Sequence, residues 1–125
     1  MKDISIGLSY QLKEKVTNIK SARSIGSGTL DVYSTPSMIA LLEKTSWKCI
    51  VTYLDKDETS VGGSVNVLHL RPTAIGKNVL CTSKVISVEK NRVEFHVEIY
   101  EGDKMIGKGT HIRFIVKKSS FLSGL

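Results

Sequence analysis

Three polar side chains stand where the surrounding pattern calls for something apolar. Thr35 opens a helical segment, where free N–H groups and the helix dipole favour negative charge. Glu43 lies inside that segment, four residues after Ile39 and beside Leu42. His69 follows Val65 and Val67 at period two, so it shares their strand face. A buried carboxylate can act as base or nucleophile. A hydroxyl beside helix amides can hold an anion, and an imidazole can move a proton near neutral pH. Taken singly, each has a plainer reading: Thr35 as an N-cap, Glu43 leaning to solvent beside Lys44, and His69 as a hydrogen-bonded core or rim histidine. His96 alternates outward between Glu94 and Glu98 as a solvated residue. His111 and Arg113 share a face of the last strand, as supporting groups around a site or as simple surface charges.

The elements that must position these residues follow from periodicity. Ile39, Leu42, Ser46, Cys49, Ile50 and Tyr53 recur at steps of three and four, which predicts a helix over 36–54. Thr35 is its expected N-cap and Pro36 its first residue. Met38, Leu41 and Trp47 widen its apolar surface, so other structure should wrap most of it. A strand is expected from Val61 to about Leu70, ended by Pro72, and a second over 78–89. Val93, Phe95, Val97 and Ile99 alternate with Glu94, His96, Glu98 and Tyr100, the pattern of a half-buried antiparallel strand. A turn at 101–104 leads to a last strand over 105–117, where Gly107 and Gly109 suggest a bulge or a close backbone approach. An earlier strand near 10–22, containing Leu12, Val16 and Ile19, joins the sheet. The economical arrangement is α+β: one long helix with about five antiparallel strands curled around it.

A chain of 125 residues is one domain, 1–125, with residues 119–125 as a loose tail. The hydrophobic fraction of 41% argues against wholesale disorder, and no apolar run is long enough to span a membrane. The first fifteen residues lack the apolar core of a secretory signal, which reads as cytoplasmic. Cys49 and Cys81 form neither a disulfide framework nor a zinc site and are expected reduced and buried. No phosphate-loop, dinucleotide, metalloprotease or nucleophile-elbow motif occurs. The net charge of +6 favours an anionic partner. Aromatics at 6% are thin for stacking on single-stranded nucleic acid, so nucleic acid is not the expected partner.

Three runs, Ser34–Glu43, Val61–Gly76 and Gly107–Arg113, resemble the fluoroacetyl-CoA thioesterase-like family of hotdog-fold proteins, in the family's order over residues 16–116. The resemblance implies a long helix wrapped by an antiparallel sheet. It also implies hydrolysis of a small acyl-CoA thioester without metal or redox cofactor, coenzyme A being part of the substrate. The family's catalytic threonine, glutamate and histidine fall on Thr35, Glu43 and His69, its motif glycine on Gly62 and its late arginine on Arg113. Hotdog proteins generally pair by joining their sheets, so a homodimer is expected. Arg71 stands where a small residue is more usual, and Tyr33 is the sole aromatic just before Thr35. Fluoroacetyl-CoA itself is therefore not the expected substrate.

This chemistry is consistent with the residues. A thioester carbonyl needs an attacking oxygen, from Glu43 or from water it activates, and an oxyanion site at the helix N-terminus with Thr35. Coenzyme A phosphates would suit the basic surface, with Arg71, Lys77 and Lys84 as candidates. The rivals are a hotdog hydratase or dehydratase, a non-catalytic acyl-CoA-binding module and, third, a basic nucleic-acid binder. Thr35 and Glu43 are eight residues apart, about 12 Å along one continuous helix. Either Thr35 lies on a loop that folds back before the helix, or one subunit's Thr35 faces the other's Glu43.

Overall fold

Strict alternation is honoured most fully in the middle of the sheet. In the computed structural model, which describes residues 1–125, β4 spans Arg92–Glu101, and its Val93, Phe95, Val97 and Ile99 are fully buried. Hairpins join β4 to β3 (Asn78–Glu89) and β5 (Lys104–Lys117). Lys90 and Gly102 turn them with φ of 56° and 59°. β1 (Ser9–Lys15) pairs with the far side of β3, and β2 (Glu58–His69) with the far side of β5. The result is one antiparallel sheet of order β1-β3-β4-β5-β2. The first strand is shorter than the expected 10–22. A 3₁₀ turn at Asn18–Lys20 and the short helix α1 (Ala22–Ile25) take its second half.

The long helix α2 spans Thr35–Ile50 and continues as a 3₁₀ turn, Val51–Tyr53. It touches all five strands. Its buried face carries Met38, Leu41, Leu42, Cys49 and Ile50, of which the Met, Leu and Ile chains each contribute about 1.5–3 kcal/mol. The same face holds Ser37, Thr45 and Ser46. Thr45 and Ser46 donate to the Leu41 and Leu42 carbonyls, and Ser46 also bonds Ser83 of β3 at 2.8 Å, so their hydroxyls are satisfied. Burial is confined to this face: Ala40, Lys44 and Trp47 are exposed, so the wrapping expected on most sides is found on one.

The close approach expected at Gly107 and Gly109 is present. A Cβ on Gly107 would lie 2.6 Å from Met38 Sδ, and one on Gly109 2.2 Å from the Asn66 carbonyl oxygen. The ladders also break at three places, leaving Gly63 of β2, Ile86 of β3 and Ile106 of β5 as extra residues, the last directly beside Gly107. Residues 119–125 are not a loose tail. Most belong to a short exposed helix, α3 (Lys118–Ser123), because the Lys118 amide donates to the Asp57 carbonyl at 2.8 Å and Ser119 Oγ to the Asp57 carboxylate. Cys49 and Cys81 are buried free thiols, both pushed up to about 11 by burial. No helix is long and apolar enough to cross a membrane.

Candidate active site

The start of α2 differs from expectation by one residue, and the shift matters. Ser34, not Thr35, is the N-cap: its Oγ accepts from the Ser37 amide at 3.1 Å, and its carbonyl accepts from the Met38 amide. Thr35 is the first helical residue and Pro36 the second. With capping done by Ser34, the Thr35 hydroxyl is free to meet a different partner, His69 Nδ1 at 2.8 Å. The helix-start amides also resolve. Pro36 has none, those of Ser37 and Met38 are engaged, and the Thr35 amide has no partner within the chain.

His69 ends β2 and is half-buried, with Tyr33 edge-on to its ring at 6.5 Å. Its Nε2 is buried without a hydrogen-bond partner. Burial pushes the imidazole below its usual value, with the Arg71 backbone opposing. Tyr33 is fixed in turn: its amide donates to the Thr73 carbonyl and its hydroxyl to Glu14 at 2.7 Å. Tyr33, Thr35, His69, Arg71 and Pro72 line one side of an open cleft of about 330 Å³. Arg71 is therefore next to the Thr35–His69 pair. Lys77 and Lys84 are exposed and do not line this cleft.

Glu43 lies two turns further along α2 and belongs to another cluster. Its side chain is 40% exposed, and its Oε2 stands 3.8 Å from Arg113 Nη1. Across from it is Gly62, paired in register with Arg113, where a Cβ would sit 2.8 Å from Glu43 Oε2. Arg113 is 7% exposed and His111 wholly buried, which corrects the surface-charge alternative for both. Arg113 donates to the Ser60 hydroxyl and carbonyl of β2 and to His111 Nε2. Burial weakens Arg113's hold on its proton and the Glu43 carboxylate restores part of it.

The chain thus joins Thr35 to His69, and Glu43 to Gly62 and Arg113, but keeps the two groups apart along one continuous helix. Thr35 already has helical geometry, so the folded-back loop is not what is found. Ser34, Ser60 and Ser64 were not singled out from sequence. Ser34 had a signal, a serine two residues before a helix-opening proline; the other two had none. No group of three or more His, Cys, Asp or Glu side chains is placed to hold a metal ion.

Comparison with known proteins bears on the family and the fold. Residues 16–119 match the family described as FlK, fluoroacetyl-CoA-specific thioesterase. The fluoroacetyl-CoA thioesterase of Streptantibioticus cattleyicolor is 32% identical over 91 residues, covering 73% of this chain and 66% of the relative, just under two-thirds of its length. A solved structure of the fluoroacetyl-CoA thioesterase FlK superposes with a TM-score of 0.94 at 26% identity, covering 98% of this chain and 96% of that one. A variant of that enzyme in complex with fluoroacetate and CoA gives 0.90 at 27% identity, covering 94% and 99%. A Thermus thermophilus protein described as a thioesterase superfamily member gives 0.91 at 28%, covering 98% and 91%. With the long helix, the sheet order and the match over residues 16–119, this hotdog-fold chain belongs to the fluoroacetyl-CoA-specific thioesterase family.

Proposed function

We propose that the protein is a cytoplasmic homodimer that hydrolyses a small acyl-CoA thioester to the free acid and coenzyme A. The observation that carries this reading is the Thr35–His69 hydrogen bond at the start of α2, beside an unpaired helix amide. The Thr35 amide and hydroxyl hold the oxyanion as the carbonyl carbon is attacked. Glu43 delivers the attacking oxygen, its own or that of a water it deprotonates. His69 holds the Thr35 hydroxyl and moves a proton beside the departing sulfur. One water is consumed overall, the C–S bond breaks, a C–O bond forms, and the thiolate of coenzyme A takes up the proton. Arg71 meets the coenzyme A phosphates at the cleft.

The spacing of the site supports the homodimer. Thr35 and Glu43 are separated by eight residues of unbroken helix, about 12 Å. A site in which Thr35 and His69 of one subunit face Glu43 of the other would bring their side chains to one carbonyl. The free edge of β2, with Val65 and Leu68 exposed, offers the surface for joining two sheets. A panel of short and medium acyl-CoA thioesters, read by thiol release, tests the activity. Turnover of at least one is expected. Saturable binding with no turnover across the panel would replace this reading with a non-catalytic acyl-CoA-binding module.

A further inference from the structure

His111 has no exposed surface, and its ring stacks on Phe95 of β4 with centroids 6.2 Å apart. Each of its nitrogens has one partner, and each partner has one possible role. The Ser64 carbonyl oxygen, 2.8 Å from Nδ1, can only accept, so Nδ1 carries the proton. Arg113 Nη1, 3.1 Å from Nε2, can only donate, so Nε2 is a bare lone pair. The geometry therefore selects the neutral Nδ1–H tautomer. The rest of the guanidinium is held as firmly: Nε donates to Ser60 Oγ at 2.7 Å and Nη2 to the Ser60 carbonyl at 2.9 Å. The nitrogen that His111 grips is the one that faces Glu43.

We infer that His111 is a positioning residue: its bare Nε2 holds Arg113 Nη1 over Glu43 and thereby fixes the carboxylate at the site. This inference rests on the thioesterase reading and deepens it. It also carries a sign. The charged groups facing the ring are Arg113 on its own strand and Glu43 on α2, while β4 presents Phe95 and β2 the Ser64 carbonyl. Protonation would turn Nε2 from acceptor to donor and set a second positive charge against Arg113. Arg113 would then release Glu43. Burial and Arg113 favour the neutral ring, against the Ser64 carbonyl and Glu43.

The test has two arms on the whole protein. In the first, imidazole ¹⁵N shifts of wild type are followed from neutral to mildly acidic pH without substrate. His111 should show a protonated Nδ1 and a bare Nε2 at neutral pH. An Nε2–H tautomer, or a charged ring there, would overturn the inference whatever the enzyme does. In the second arm, His111→Asn keeps a donor for Ser64 and loses the acceptor for Arg113. His111→Gln keeps an acceptor at the outer position and cannot titrate. His111→Asn should lower kcat roughly tenfold to a hundredfold at unchanged KM, the scale of a sub-ångström to ångström misplacement. His111→Gln should recover much of that loss, and the acid limb of kcat should be less steep than in wild type. Equal losses in both variants, or an unchanged acid limb, would make His111 merely structural. A wild type inactive on every acyl-CoA would sink the functional reading, and the ¹⁵N arm would still decide the grip on Arg113. If neither variant folds, that arm likewise decides it.

Discussion

Gly62→Ala asks whether the position of Glu43 matters, because it adds one methyl group at one known distance. The new Cβ would lie 2.8 Å from Glu43 Oε2, 3.5 Å from His111 Cε1 and 3.6 Å from Arg113 Nη1. The last two are ordinary contacts. The first is not, and the carboxylate must withdraw about 0.6 Å to reach the 3.4 Å where ordinary contact begins. The withdrawing atom is the tip of a half-exposed side chain, so folding should lose little, within about 1 kcal/mol. Catalysis should lose more. A 1 Å misplacement can cost on the order of a hundredfold, so 0.6 Å predicts roughly a tenfold fall in kcat. Thiol-release kinetics and a thermal melt of the same preparation separate the two. Full kcat with an unchanged Tm would refute the assignment of Glu43 to the reacting carbonyl. A large fall in Tm would show that the methyl disturbs the bulge in β2 rather than the carboxylate.

Four further outcomes are expected. His69→Ala and Glu43→Gln should each lower kcat by about 10²–10⁴ with the circular dichroism of the folded state retained; near-wild-type turnover in either would remove that residue from the mechanism. His69 and His111 both have folded pKa values below the usual 6.5. Above that pH neither state is charged and nothing changes. Below it the unfolded chain takes up protons first, so Tm should fall as pH drops, and a Tm level down to about pH 5 would contradict the burial of both rings. Mixing inactive Thr35→Ala and Glu43→Ala proteins under subunit exchange should restore part of the activity, since each mixed dimer holds one intact set; no recovery despite proven exchange would place both residues in one chain's site. Salt should raise KM with little effect on kcat, and Arg71→Ala should flatten that response; an equal salt response in the variant would leave Arg71 out of substrate binding.

The sequence made the sheet's centre plain because one face of β4 is apolar and the other carries Glu94, His96 and Glu98. β5 was harder. Gly107, Gly109, His111, Arg113 and Ile115 lie on one alternation and Thr110, Ile112, Phe114 and Val116 on the other. The more apolar set is the less buried one, so pattern alone left His111 and Arg113 as possible surface charges. What satisfies their polar atoms inside the protein is Ser60 and Ser64 of β2 and Glu43 of α2, partners distant in the chain. The helix N-terminus was misplaced by one residue because serine and threonine both cap well, and the sequence Ser34-Thr35-Pro36 accepts either assignment. The resemblance put Thr35 and His69 in one site, but their direct hydrogen bond was not read from the sequence. Its geometry depended on which of the two residues capped the helix.

The unpaired edge of β2 bears on how the protein can be handled. From Thr59 to Leu70 the chain has no Asp, Glu, Lys, Arg or Pro, the residues that ordinarily keep an open strand from recruiting another. Its neighbour-free backbone donors and acceptors therefore have no safeguard against a stranger of the same kind. Any substitution that leaves this edge bare should favour irregular association and turbidity, even though the net charge of +6 ought to keep copies apart. A lysine at Val65, 37% exposed on that strand, would guard the edge against strangers and against the second copy alike, so the same bareness that invites aggregation is what pairing of two sheets requires.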